Sequence, residues 1–147
     1  MAVLRGSARG GLTRRSLCAE IVRVEENEIY AAIGAEGFER LTRAFYEQVP
    51  ADDILGPMYP ADDLHGAQQR LRDFLIFRFG GPAVYVEQRG HPRLRMRHAP
   101  FPIGQSARDR WVQLMTRALD EAQFPGPVRT ILADFFASTS TFLINKP

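Results

Sequence analysis

Residues 90–101 read Gly-His-Pro-Arg-Leu-Arg-Met-Arg-His-Ala-Pro-Phe and hold the densest chemistry in the chain. Pro92 can open a helix, because the first turn needs no N–H from it, and Pro100 disfavours helix at Ala99. About two turns fit between them. Leu94 and His98 then lie four apart on one face. Arg93 and Arg97 form an adjacent column, and Arg95 points elsewhere. A neutral imidazole on a buried face, edged by guanidinium groups, suits a metal-bearing ligand that also carries anions. Haem has that chemistry: its iron takes an axial nitrogen and its propionates take positive charge. A histidine packed into an apolar core is the plain alternative, and this stretch alone does not choose between them.

The elements that must position His98 read as helices throughout. Residues 29–33 form a short first helix, ended at Gly34. A second spans about 36–49, with Phe38, Leu41, Phe45 and Val49 recurring at three and four. Tyr46 lies at the edge of that stripe, and Pro50 closes the helix. Asp52 to Leu55 make one tight turn, and residues 56–60 a loop ending Tyr59-Pro60. Asp62 or Asp63 can cap a third helix running to about Phe79, with Ala67, Leu71 and Phe74 on its apolar face. Gly80-Gly81-Pro82 stops it. Residues 82–91 are a connection containing Tyr85. Ser106 caps a further helix to about Phe124, with Trp111, Leu114, Met115, Ala118 and Leu119 as its stripe. Pro125-Gly126-Pro127 breaks it, and the last helix carries Val128, Ile131, Leu132, Phe135 and Phe136. The expected fold is all-α, with four substantial helices and two or three short ones. About 25 residues separate the third and fourth, whereas antiparallel neighbours need only about 2–8, and long connections of this kind are usually functional.

Composition bounds the rest. The chain has 147 residues, 45% hydrophobic and 24% charged, which fits one soluble domain. No apolar run approaches the ~20 residues of a membrane span. The lone Cys18 excludes an internal disulfide and any Cys-based metal site. Neither His65 nor His91 has ligand spacing to His98, so a metal held by side chains alone is not expected. Net charge is +2, but residues 1–18 hold four arginines and no acid. The basic pI therefore reflects a tail, and no nucleic-acid partner is expected. Residues 1–24 read as a disordered extension without a signal-peptide core, and residues 25–147 as the domain. A cytoplasmic location is expected, with no membrane partner.

From about Ile29 to Leu143 the sequence resembles the truncated haemoglobins, specifically their second group. The resemblance rests on Phe45-Tyr46, Tyr59-Pro60, Gly80-Gly81-Pro82, residues 90–101 and Trp111. It implies a two-over-two helical sandwich around one haem b, with His98 as the proximal iron ligand. It implies that Tyr46, Tyr59 and Trp111 line the distal side. Ala67, Leu71, Phe74, Leu94, Met96 and Phe101 are expected against the porphyrin, and Arg97, Arg70 and Tyr85 near the propionates. A proximal imidazole should donate its other ring nitrogen outward, often to a backbone carbonyl. His91 is expected in a loop or cap, and His65 exposed. Ala35 and Phe79 depart from frequent family residues without touching the site.

Two classes of function follow. A binding protein would take up dioxygen, carbon monoxide or nitric oxide reversibly. A redox enzyme would use bound oxygen or peroxide, as a nitric oxide dioxygenase or peroxidase-like catalyst, and would need an external reductase. A homodimer is compatible with either. A haem-free helical partner-binding protein is the third possibility.

Overall fold

The computed structural model describes residues 24–147. The expectation for residues 1–24 therefore falls almost wholly outside the described residues. Six α-helices occur among the described residues: α1 Ile29–Gln48, α2 Leu64–Arg78, α3 Val84–Arg89, α4 Leu94–His98, α5 Gln105–Ala122 and α6 Gly126–Phe142. No strand occurs among the described residues. The pair α1–α2 lies on the pair α5–α6, with α1 against α5, which is the two-over-two sandwich.

Helix α1 contains the break expected at Gly34, whose φ of 68° is left-handed and favours a residue without Cβ. Its stripe of Phe38, Leu41 and Phe45 is fully buried. The core is a connected run of rings. Phe38 stacks on Phe79, Phe79 meets Phe135 at 5.0 Å, and Phe135 meets Phe136. Phe136 meets Trp111, which meets Phe45 at 5.2 Å, and Phe45 leads through Tyr46 to Tyr59. Such stacked and edge-to-face aromatic pairs contribute about 0.5–1.5 kcal/mol each beyond the area they bury. One continuous aromatic seam thus joins α1, the C-cap of α2, α5 and α6 to the turn carrying Tyr59.

Polar ties fix the helices lengthwise. The Gln48 amide donates to the Leu114 carbonyl on α5 at 2.9 Å. Arg72 on α2 pairs with Glu39 on α1 at 2.9 Å. After α2 the chain turns at Gly80 (φ 96°), where a Cβ would collide with the Asn27 carbonyl. The Tyr30 amide donates to the Phe79 carbonyl beside it.

Several helix starts differ from expectation. Asp63 occupies the α2 N-cap position, but its carboxylate binds Arg70 at 3.0 Å and caps no amide. Gly104, not Ser106, precedes the first residue of α5. The connection 82–91 contains α3, and residues 56–58 form a 3₁₀ turn. Pro92 does not open the histidine helix. That role falls to Arg93, in left-handed conformation (φ 42°, ψ 55°), so α4 is five residues and little more than one turn.

Candidate functional site

A cavity of about 520 Å³ lies between the helix pairs, within the usual ligand-pocket range of about 300–1,000 Å³. Its walls are mostly apolar, including Leu71, Phe74, Leu75, Leu94 and Phe135. Of the residues singled out from sequence, Tyr46, Tyr59, Ala67, Arg70, Leu71, Phe74, Tyr85, Leu94, Arg97, His98, Phe101 and Trp111 all line it. Met96 does not. It is 60% exposed, because two residues along a helix from both Leu94 and His98 is the far side of the turn. His65 is exposed, as expected. His91 acts in the loop, its Nδ1 accepting from the Arg93 amide at 3.1 Å.

His98 ends α4. Its Nδ1 lies 2.7 Å from the Leu94 carbonyl, one turn back. A carbonyl oxygen can only accept, so Nδ1 carries a proton, and in the neutral imidazole the lone pair is then on Nε2. The C-terminal tail braces this corner. The Asn145 amide donates to the Phe101 carbonyl at 2.9 Å and to the His98 carbonyl at 3.3 Å, and its oxygen accepts from the Ile103 amide. Arg97 is spent mainly on its own loop, donating to the carbonyls of Pro92 and Arg89 at 2.7 Å each. Its guanidinium also lies 5.8 Å from the centre of the Tyr85 ring.

Tyr46, Tyr59 and Trp111 form the polar corner of the cavity. The rings of Tyr46 and Tyr59 meet edge-on at 5.6 Å. Burial pushes the Tyr46 hydroxyl well above its ordinary pKa. Tyr59 beside it pushes the same way, and the charge of Arg70 opposes them weakly. Burial likewise raises Tyr59, while the neighbouring Trp111 indole and Tyr46 hydroxyl oppose the rise. All three residues line the cavity, and each carries one N–H or O–H donor.

Two residues that hold this corner together were not picked out from sequence. Asp52, in the turn after α1, accepts from the Ile54 and Leu55 amides at 3.1 and 2.7 Å and from Arg110 at 2.6 Å. Arg110 also reaches Asp53 and directly precedes Trp111. The turn leading to Tyr59 is thereby pinned to the helix carrying Trp111. Burial works to raise the Asp52 carboxyl, but the Leu55 amide, Arg110 and the Ile54 amide outweigh it and hold it below the usual carboxylate value. A depressed carboxylate stabilises the fold above its unfolded pKa, and that contribution is lost as pH falls through the folded value. Asp52→Ala should therefore lower stability at neutral pH by about 1 kcal/mol, the usual cost of losing a side-chain cap. The difference from wild type should shrink below about pH 4. Urea midpoints at neutral and acid pH check this, and a gap independent of pH would contradict it.

The donor set fits an iron porphyrin. Among the described residues no group of three or more His, Cys, Asp or Glu side chains could hold a bare metal ion. One imidazole with a free Nε2, on an apolar cavity edged by Arg70 and Arg97, suits a metal that brings its own equatorial ligands and two carboxylates.

Comparison with known proteins agrees with this geometry. Residues 28–145 match the family model described as bacterial-like globin. The chain is 37% identical to the group 2 truncated hemoglobin YjbI of Bacillus subtilis over 120 residues, covering 82% of this chain and 90% of that protein. Among solved structures, a thermostable hemoglobin from Thermobifida fusca superposes with a TM-score of 0.78 at 47% identity, covering 81% of this chain and 98% of that one. A truncated oxygen-avid haemoglobin from Bacillus subtilis gives 0.76 at 37% identity, covering 80% and 98%. The chain belongs to the bacterial-like globins and, within them, to the group II truncated haemoglobins. It is a haem-binding globin, and no helix among its described residues is long and apolar enough to cross a membrane.

Proposed function

We propose that this chain holds haem b through His98 Nε2 and reversibly binds dioxygen, with carbon monoxide and nitric oxide as alternative ligands. The observation that carries the reading is the His98–Leu94 hydrogen bond, which takes up Nδ1 and supports Nε2 as the nitrogen available beside an apolar cavity. Haem supplies an iron able to take a diatomic ligand. The chain supplies the rest. Leu71, Phe74, Leu94 and Phe101 enclose the porphyrin, and Ala67 leaves room beside it. Arg70, Arg97 and Tyr85 face its carboxylates, although Arg97 has only part of its guanidinium to offer. Tyr46, Tyr59 and Trp111 donate to a ligand that draws negative charge.

The test is the ferrous protein mixed with oxygen and followed in the Soret region. A distinct oxygenated spectrum that reverts when oxygen is removed is expected, as is complete release of the haem into acid–butanone. A ferrous spectrum indifferent to oxygen would overturn the reading. Turnover of nitric oxide or peroxide is the second reading, favoured by the three donor-bearing residues that line one cavity. Donors that retain oxygen suit chemistry on a held ligand better than delivery of it. The oxygen release rate separates the two, since delivery requires fast release.

A further inference from the structure

Three arginines of the densest basic stretch take no part in the reading above. Arg89, Arg93 and Arg95 are exposed, and none forms an ion pair with a described residue, whereas seven arginines elsewhere each reach a carboxylate. Residues 89–97 hold four arginines and no acid. The other described residues hold ten basic against sixteen acidic groups, so a +4 patch sits on a domain that is otherwise −6. Apolar side chains lie in the same patch. Met96 is 60%, Phe142 54% and Phe101 40% exposed, and the Arg95 guanidinium covers the Phe142 ring at 4.9 Å. Arg93 is held in the left-handed region, where a residue with a Cβ is strained. Arg97 and Phe101 are both exposed and line the cavity, so the patch runs into the cavity mouth.

We infer that this face docks an acidic one-electron carrier protein that returns the haem iron to the ferrous state. The inference rests on the haem reading above. Oxygen binding needs Fe(II), and in the transfer the carrier loses one electron while Fe(III) gains one, with no atom or proton exchanged. The location suits the task, because α4 presents Arg95 and Met96 outward within three residues of His98. The composition suits a protein partner: arginine, methionine and aromatic residues are the side chains enriched at protein interfaces. Unpaired arginines around an apolar centre attract an acidic face over a distance and then let apolar contacts form.

The probe is a plant-type [2Fe–2S] ferredoxin, an acidic one-electron carrier. Its oxidised form is titrated against the haem-loaded protein by calorimetry, and its reduced form is mixed with the ferric protein in a stopped flow. The cluster variant combines Arg89→Gln, Arg93→Gln and Arg95→Gln. The control combines Arg40→Gln, Arg43→Gln and Arg117→Gln, the same charge change elsewhere on the exposed surface. The cluster variant should weaken binding and slow bimolecular reduction roughly ten-fold or more at low ionic strength, the scale of electrostatic steering. It should also flatten the salt dependence, while the control stays near wild type. Reduction by dithionite should be the same in all three proteins. Equal slowing by both variants, or binding indifferent to the cluster, overturns the docking site. So does a cluster variant that loses binding to anionic phospholipid vesicles, or self-association, while keeping ferredoxin. A preparation without a Soret band overturns the haem reading itself, whereas a normal Soret band with any of these failures overturns the docking alone.

Discussion

His98→Ala should be purified with little or no haem, and free imidazole should restore the Soret band. Removing a residue that merely supports a metal ligand costs roughly 10–100-fold in affinity, and removing the ligand itself should cost more. Two further readouts distinguish ligation from packing. First, His98 is only half-buried, so its truncation alone should change the stability of the haem-free protein little. Second, a bound ligand present at about 1,000 times its dissociation constant stabilises a protein by about 4.1 kcal/mol. Loss of haem should therefore lower Tm by several degrees or more, and imidazole should recover it. His65→Ala and His91→Ala should keep the wild-type spectrum, because one is exposed and the other serves the turn before α4. A His98→Ala protein with full haem content and an unchanged ferrous spectrum would show that another group holds the iron.

Much of this architecture was legible because it is periodic. The stripe Phe38, Leu41, Phe45, Val49 repeats at three and four, and it is buried. Trp111, Leu114, Met115 and Ala118 behave the same way on α5, with Trp111 half-buried at the cavity. The Gly80–Gly81 stop was legible for a second reason: the fold needs a left-handed residue there with no side chain facing Asn27. The same logic also excludes Met96. A residue two positions from both Leu94 and His98 cannot share their face, although it belongs to the same arginine-rich stretch.

What stayed hidden has no local period. Asp52 and Arg110 are 58 residues apart, and Asn145 meets Phe101 across 44. Each pair is made by the packing of helices already formed, so neither sequence neighbourhood announces it. The left-handed Arg93 was hidden for the opposite reason. Pro92 is a good opening residue for a helix, but the Arg93 amide is instead taken by the His91 ring and the helix begins one residue later than Arg93. Sequence therefore identified which side chains meet at the cavity more readily than which ones brace them.

Trp111→Phe should speed oxygen release roughly ten- to a hundred-fold while barely changing carbon monoxide release. Oxygen held in the pocket carries partial negative charge on its outer atom, and carbon monoxide carries much less. A hydrogen bond to a charged acceptor is worth about 1.5–3 kcal/mol. Each ~1.4 kcal/mol is a factor of ten, and differences in affinity among variants appear mostly in release. Phenylalanine keeps an aromatic ring against Phe45 and Phe136 but removes the N–H. Tyr46→Phe removes only a hydroxyl and should act in the same direction. The two side chains line the same cavity and both pack on Phe45, so the double variant should be non-additive, as expected for neighbours that share a ligand. Burial keeps the Tyr46 and Tyr59 hydroxyls protonated well past their ordinary range. The tyrosine contribution should therefore be flat from mildly acid to mildly alkaline pH. Stopped-flow displacement of oxygen and carbon monoxide from the same preparations measures all of this. If Trp111→Phe and Tyr46→Phe accelerate both gases by the same factor, the two residues act as walls that govern access, and the donor role assigned to them is wrong.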